Sequence, residues 1–263
     1  MTNRKHKLPT NIPLGKKSTI PKKYNPSLLI ALKREKITDK INYGIDTWNA
    51  YELYWLNDKK IPTTALCQIT YASHSDYIIE SKSLKLYLNS LNNTSFKSTK
   101  SIKETIKKDL EKKISTPVSI TFNKEKTIKK INIPIIKIEK KITMIQPFTT
   151  FKFQNSLIKE TLYTNTFRSI CPVTSQPDFA TLFITYSGKK IIKQTLYNYL
   201  ANFYNKAHFH EECIEIIFNE LFKTNQIKEL TIQGSFLRRG GIDITPIRSN
   251  IKAFIQFPRI IRQ

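Results

Sequence analysis

The sequence predicts an α+β fold made of one unit used twice, each unit running strand, strand, helix, helix, strand, strand. Three observations predict it. Residues 47–56 (Thr-Trp-Asn-Ala-Tyr-Glu-Leu-Tyr-Trp-Leu) are aromatic and β-prone. Residues 63–71 alternate through Ala65, Cys67, Ile69 and Tyr71, and Asn57-Asp58-Lys59-Lys60 forms a turn between the two stretches. Two segments with apolar residues at helical spacing follow, Leu84, Tyr87, Leu88 and Leu91, then Ile102, Ile106, Leu110 and Ile114. After a proline-marked stretch at 139–157 the same order of patterns returns. Such alternation of hairpins and helix pairs gives antiparallel sheets backed by helices.

Taken in order, residues 1–43 form an arm. Pro9, Pro13, Pro21 and Pro26 punctuate it, and its one apolar patch is 28–32, so it reads as extended chain over the surface. Residues 44–140 form the first unit. Its first helix has Ser81 or Ser83 placed as N-cap, and its second starts at Ser101 with Glu104 completing a capping box. Val118, Ile120 and Phe122 mark one closing strand; 131–138 marks another, where Pro134 indicates an edge or a bulge. Residues 141–263 form the second unit. Strands at 161–167 and 181–186 flank a loop, and two helices follow on Leu196, Tyr199, Leu200 and Phe203 and on Phe209, Cys213, Ile214, Ile217, Phe218 and Leu221. Strands at 230–236 and from 241 complete it.

Composition narrows the function. With 263 residues and 40% hydrophobic content the chain can fill a sizeable core. No apolar run nears the roughly 20 residues of a membrane span, and the start of the chain lacks a secretory pattern, so a cytoplasmic protein is expected. Cys67, Cys171 and Cys213 have no paired spacing, which suits reduced thiols. Cys67 falls on the apolar side of its strand and reads as core. The formal charge of +24 invites an RNA-binding reading, but the lysines are spread along the chain and would equally serve an anionic cofactor.

Four stretches carry chemistry. Residues 168–178, Arg-Ser-Ile-Cys-Pro-Val-Thr-Ser-Gln-Pro-Asp, hold Cys171 and Asp178 on a loop stiffened by two prolines, a nucleophile and a proton donor in reach of one small substrate. Ser81 and Lys82 at a helix start offer backbone N–H groups and an ammonium to a phosphate, and Glu80 just precedes them without a helical partner. His208-Phe-His-Glu-Glu-Cys213 opens a helix. Its possible metal pairs, His208 with Glu212 and His210 with Cys213, point to different faces, so substrate binding by His210 and Glu211 is the better reading and no metal is expected. Arg238-Arg-Gly-Gly-Ile-Asp243 joins arginine forks to two of only six glycines, a second candidate phosphate contact.

Residues 80–87, Glu-Ser-Lys-Ser-Leu-Lys-Leu-Tyr, resemble the signature of the NADPH-dependent 7-cyano-7-deazaguanine reductases of queuosine biosynthesis, in their long, two-repeat form. The blocks at 171–178, 209–213 with 217–221, 238–243 and 248–250 agree in the same order, as do Leu14-Gly-Lys16, Ser27-Leu-Leu29 and the closing Arg262-Gln263. The resemblance covers nearly the whole chain. It implies two tandem ββααββ tunnelling-fold units, helices on one face, joined through their sheets across a homodimer. It further implies that Cys171 adds to the nitrile as a covalent thioimide, that Asp178 donates a proton, and that Ile79, Glu80, Ser81, His210 and Glu211 hold the heterocycle. Ser81, Lys82, Arg239 and Gly240 would contact NADPH, with no metal, membrane or nucleic acid required. Relatives commonly carry Trp-Gly after the aspartate where this chain has Phe179-Ala180. Alternatives are a zinc-dependent enzyme of the same fold acting on a pterin or purine, which would need a His/Cys set, and a basic RNA-binding protein.

Overall fold

Strand formation follows the period-two pattern, and the strands outrun it. In the computed structural model, which describes residues 13, 15, 21, 23–35, 38, 40–123, 135–139, 142, 144–260 and 263, the first hairpin is β2 (Tyr43–Leu56) with β3 (Pro62–Ala72), and the second is β7 (Phe153–Ile170) with β8 (Pro177–Ile191). The alternation at 161–167 and 181–186 marked only the middle of the longer pair, since β8 runs on through Ser187-Gly188 and β7 begins inside the expected linker. Between the hairpins lie β4 (Tyr77–Ile79), α1 (Ser81–Ser90), α2 (Thr99–Ile114), β5 (Val118–Asn123) and β6 (Ile135–Lys137). After β8 come α3 (Lys193–Ala201), α4 (His210–Phe222), β9 (Ile227–Phe236) and β10 (Ile242–Ser249).

Both repeats share one eight-stranded sheet in the order β5-β3-β2-β10-β9-β8-β7-β6. The seam is an eight-residue antiparallel register of β10 on β2, from Ile242 opposite Ala50 to Ser249 opposite Tyr43. The α+β class with two ββααββ units is as the sequence indicates. One strand departs from it. The segment 131–138 was expected to close the first unit, but 131–134, with Pro134, lie outside the described residues, and β6 runs parallel to β7 at the far edge of the sheet. Alternation identifies a strand without naming its partner. Here the fully buried Ile138 beside β6 fixes the pairing.

Among the described residues four α-helices feed one apolar core with the sheet. Ile102, Ile106, Leu110 and Ile114 form the buried stripe of α2, and Cys213, Ile214, Ile217, Phe218 and Leu221 that of α4. Cys67 lies in the core as expected. Two caps differ from expectation. Glu80, rather than Ser81 or Ser83, caps α1, and α2 starts at Thr99 under Ser98, whose capping box partner is Ser101 rather than Glu104. The Ser98 hydroxyl, three residues earlier, accepts from the N–H of Ser101, leaving Glu104 on the surface beside Lys100.

The arm is tied down where it matters for the site. Its 3-10 turn (Pro26–Leu28) leads to β1 (Ala31–Lys33), which pairs with β4 in a separate two-stranded sheet. The N–H of Glu80 donates to the Ile30 carbonyl at 2.9 Å, and the N–H of Ile30 donates to Ser83 Oγ at 3.0 Å. Leu14, Lys16 and Arg262 of the expected motifs, and most of the lysine-rich run before β6, lie outside the described residues. Among the described residues no helix is long and apolar enough to cross a membrane.

Candidate active site

The loop between β7 and β8 is a short crown. Ile170 and Pro177 are the last paired residues; the N–H of Cys171 then donates to the Gln176 carbonyl at 2.8 Å, and that of Ser175 to the Cys171 carbonyl at 3.0 Å. Ser175 takes the left-handed conformation, φ 56°, that closes it. On the other side the chain leading into α4 clamps β7: Ile170 donates to the Lys206 carbonyl and accepts from the N–H of His208. This clamp brings Cys171 and the first turn of α4 together. Cys171 is half-buried, and Asp178, the second residue of β8, is 4% exposed.

The β9–β10 connection is a two-residue hairpin. Arg239 and Ile242 exchange backbone hydrogen bonds at 2.9 and 3.2 Å, and Gly240 and Gly241 both have positive φ, 56° and 80°. This is the geometry of a type I′ turn, which suits Gly-Gly. The positive φ at Gly240 is what favours glycine there, and the turn lies against the Lys85 side chain of α1.

These pieces enclose two adjoining recesses. The larger, about 310 Å³, sits at the low end of ligand-pocket sizes and is lined by Ser81, Lys82, Cys171, Asp178, His210, Arg239 and Gly240. The smaller, about 30 Å³, is lined by Ile79, Glu80 and Glu211 and again by Ser81, Cys171, Asp178 and His210. Every residue singled out from the sequence for catalysis, substrate or cofactor therefore meets at one place, within a single chain, at the seam between the repeats. His210 Nε2 is 3.4 Å from Asp178 Oδ1, and Arg239 Nη1 is 3.2 Å from the same oxygen. His210 also packs edge-on against Phe236.

Lysine and arginine line the large recess alone, while buried carboxylates line both, Asp178 being shared and Asp243 lying in the large one. The small one holds buried carboxylates. Glu80 accepts from the N–H of Lys82 at 2.8 Å and of Ser83 at 2.7 Å, one oxygen to each. Burial raises its pKa against those bonds. Burial pushes Glu211 up to about 7, with the Asp46 carboxylate adding to the rise and His210 and Arg34 opposing it. The large recess is rimmed by cations, Lys82, Lys85 and Arg239. Among the described residues no three His, Cys, Asp or Glu side chains converge as a metal set would require. His208 and Glu212 approach to 3.8 Å but are buried away from both recesses.

The chain matches two family models, one described as "Nitrile reductase, 7-cyano-7-deazaguanine-reductase N-term" over residues 20–122 and one described as "QueF-like protein" over residues 177–254. It is 39% identical over 269 aligned positions to the NADPH-dependent 7-cyano-7-deazaguanine reductase of Legionella pneumophila (strain Lens), covering 95% of this chain and 94% of that one. It is 36% identical over 270 positions to the enzyme of the same name from Coxiella burnetii (strain CbuK_Q154), covering 95% and 96%. The chain belongs to the 7-cyano-7-deazaguanine reductase family. Its Phe179-Ala180 departure falls outside the recesses: Phe179 alternates to the opposite side of β8 from Asp178 and is 41% exposed, and Ala180 pairs with Phe236.

Three further residues line the large recess: Lys85 and Asp243, which fall inside the 80–87 and 238–243 blocks but have no role assigned from sequence, and Trp48. Lys85 was reachable, since it stands one helical turn past Ser81 and Lys82 on α1. Asp243 is buried at the seam, where it accepts from Tyr51 Oη and from Asn49 Nδ2, and burial raises its pKa. No local pattern announces it, because its partners lie about 190 residues away.

Proposed function

We propose that this protein reduces the nitrile of 7-cyano-7-deazaguanine to the primary amine with NADPH, in the cytoplasm and as a homodimer, through a covalent adduct on Cys171. The observation that carries the reading is the meeting of Cys171 and Asp178 in the walls of both recesses, with Glu80 and Glu211 in the small one and the lysines and arginine in the large one. A nitrile is a weak electrophile. Addition of the Cys171 sulfur to its carbon forms a C–S bond, breaks one C–N π bond and moves the thiol proton by way of the Asp178 carboxylate to nitrogen, leaving a thioimide that is easier to reduce. His210 and Arg239, both near the Asp178 carboxylate, hold the proton donor in place.

The heterocycle offers adjacent N–H donors, and Glu80 and Glu211 are the acceptors placed to read them in the small recess. Ile79, the buried end of β4, and Ser81 complete that wall. Ser81, Lys82, Arg239 and Gly240 suit a dinucleotide phosphate: a hydroxyl and an ammonium in the first turn of α1, a planar guanidinium, and a turn without side chains. Lys85 adds a third cation there. Two NADPH molecules, bound in turn, would each supply one hydride. The deciding experiment incubates the protein with the nitrile alone and weighs it by mass spectrometry. A gain of one substrate mass, absent in Cys171→Ala, is expected, and an unchanged mass in the unmodified protein removes the covalent reading.

A further inference from the structure

One helical turn beyond Glu211 lies a buried quartet of charges that the chemistry above leaves unused. Asp46 of β2, Glu215 of α4 and Arg248 of β10 are each at most 4% exposed. Arg248 Nη1 donates to Asp46 Oδ1 at 2.7 Å, and its Nε and Nη2 donate to Glu215 Oε1 at 3.0 and 2.8 Å. Arg34, directly after β1 in the arm, closes the square. Its Nη2 donates to Asp46 Oδ2 at 2.6 Å, its Nη1 to Glu215 Oε1 at 3.3 Å, and its Nε to the Ser75 carbonyl at 3.0 Å.

Two guanidiniums balance two carboxylates, so the quartet alone is neutral. Buried pairs of this kind stabilise a fold little better than apolar packing does, which leaves their presence here to be explained by something else. Glu211 supplies the reason. It is buried at i−4 from Glu215 on the same face of α4 and adds a third carboxylate to the cluster. The groups that face it are Asp46 from β2, Tyr71 from β3, Arg34 from the arm, Glu80 at the start of α1, and Cys171 and Asp178 from the second hairpin, with His210 and Cys213 on its own helix. Burial and Asp46 oppose its ionised form, which His210 and, after it, Arg34 favour.

We propose that Arg34 is a positioning residue for substrate recognition: held by Asp46 and Glu215, its guanidinium fixes the buried charge cluster one helical turn from Glu211 and so sets how the Glu211 side chain is presented in the wall of the small recess. The N-terminal arm thereby sets substrate affinity without touching substrate. The proposal rests on the reading of Glu211 as a substrate-binding carboxylate.

The test measures KM for the nitrile and kcat from about pH 6 to about pH 9 in the unmodified enzyme, Arg34→Met, Arg34→Lys, Glu211→Gln and the Arg34→Met/Glu211→Gln pair. In the unmodified enzyme KM falls as pH rises through about 7, where Glu211 ionises. Arg34→Met is expected to move that fall upward by about one pH unit, raising KM at pH 7 about fivefold with kcat little changed. Arg34→Lys, which keeps a cation without the fork and preserves more of the fold, is expected to show a smaller shift in the same direction. In Glu211→Gln the dependence disappears, and adding Arg34→Met changes KM no further. An unshifted profile in both Arg34 variants, or additive losses in the pair, overturns the proposal while leaving Glu211 in place. An unchanged KM in Glu211→Gln overturns the substrate reading of Glu211 and the proposal with it. Absence of turnover by the unmodified enzyme defeats the functional reading itself.

Discussion

The two long hairpins occupy the same position in their repeats and end in opposite ways. The β2–β3 turn is tight and exposed: Asn57 Oδ1 accepts from the N–H of Lys59 and of Ile61, and Lys60 takes positive φ. The β7–β8 loop has a proline at each end, folds over its own backbone, and places Cys171 in both recesses. The helices divide the work in the reverse sense. In the first repeat it is the first helix, α1, whose N-terminus enters the site with Glu80, Ser81 and Lys82; in the second it is the second helix, α4, with His210 and Glu211. The corresponding helix start of α3 has no side-chain cap, and that of α2 is capped by Ser98 on the surface. The repeated unit thus gives two scaffolds, and the recesses at their seam use each part only once.

The largest expected effect comes from removing what the first hairpin lacks. Cys171→Ala should abolish both adduct and turnover, since the two-step route depends on the sulfur. Asp178→Asn should lower kcat about 10²- to 10⁴-fold, the usual range for a positioned proton donor, while the adduct mass can still be sought. Adduct formation and stopped reduction would separate nucleophile from acid. Undiminished turnover in either variant would mean that the second hairpin does not carry the chemistry.

Much of this division was legible in the sequence. Cys171 and Asp178 stood out because prolines bracket a cysteine between two alternating stretches, and Gly240-Gly241 stood out because the chain has so few glycines. The helices were legible from their four-residue stripes. What escaped was whatever depends on a distant partner. β6 alternates like any strand, yet joins β7 in parallel across the sheet. Arg34 and Asp46 look like surface charges until β10 and α4 bring Arg248 and Glu215 to them. Glu80 was noticed as a carboxylate without a helical partner, and the structure shows why: it turns back to cap its own helix.

The caps of α1 and α2 sharpen the comparison at intermediate size. Ser98→Ala removes a cap and should cost about 1 kcal/mol of stability in chemical denaturation with kcat and KM unchanged. Glu80→Ala removes a cap of the same kind and should cost a similar 0.5 to roughly 2 kcal/mol. It should also raise KM for the nitrile by about tenfold or more, because the same carboxylate reads the heterocycle. Equal stability losses with unequal KM would assign Glu80 both roles. Equal KM would reduce it to a cap.

The smallest expected effect uses a matched pair in the hairpins themselves. Lys60 and Ser175 are the residues of positive φ in the two hairpin loops, at 61° and 56°. Glycine at either relieves a left-handed penalty of about 1 kcal/mol, but it also frees the unfolded chain by a similar amount, so the net change in stability should stay within about 0.5 kcal/mol. Activity should separate them. Lys60→Gly loosens a turn far from the recesses and should leave kcat unchanged. Ser175→Gly loosens the crown whose 3.0 Å bond from Ser175 N–H to the Cys171 carbonyl fixes the nucleophile, and kcat should fall about two- to fivefold through poorer alignment. If both variants behave alike, the rigidity of the second loop is a feature of hairpin closure alone, and the prolines at its ends suffice to hold the sulfur in place.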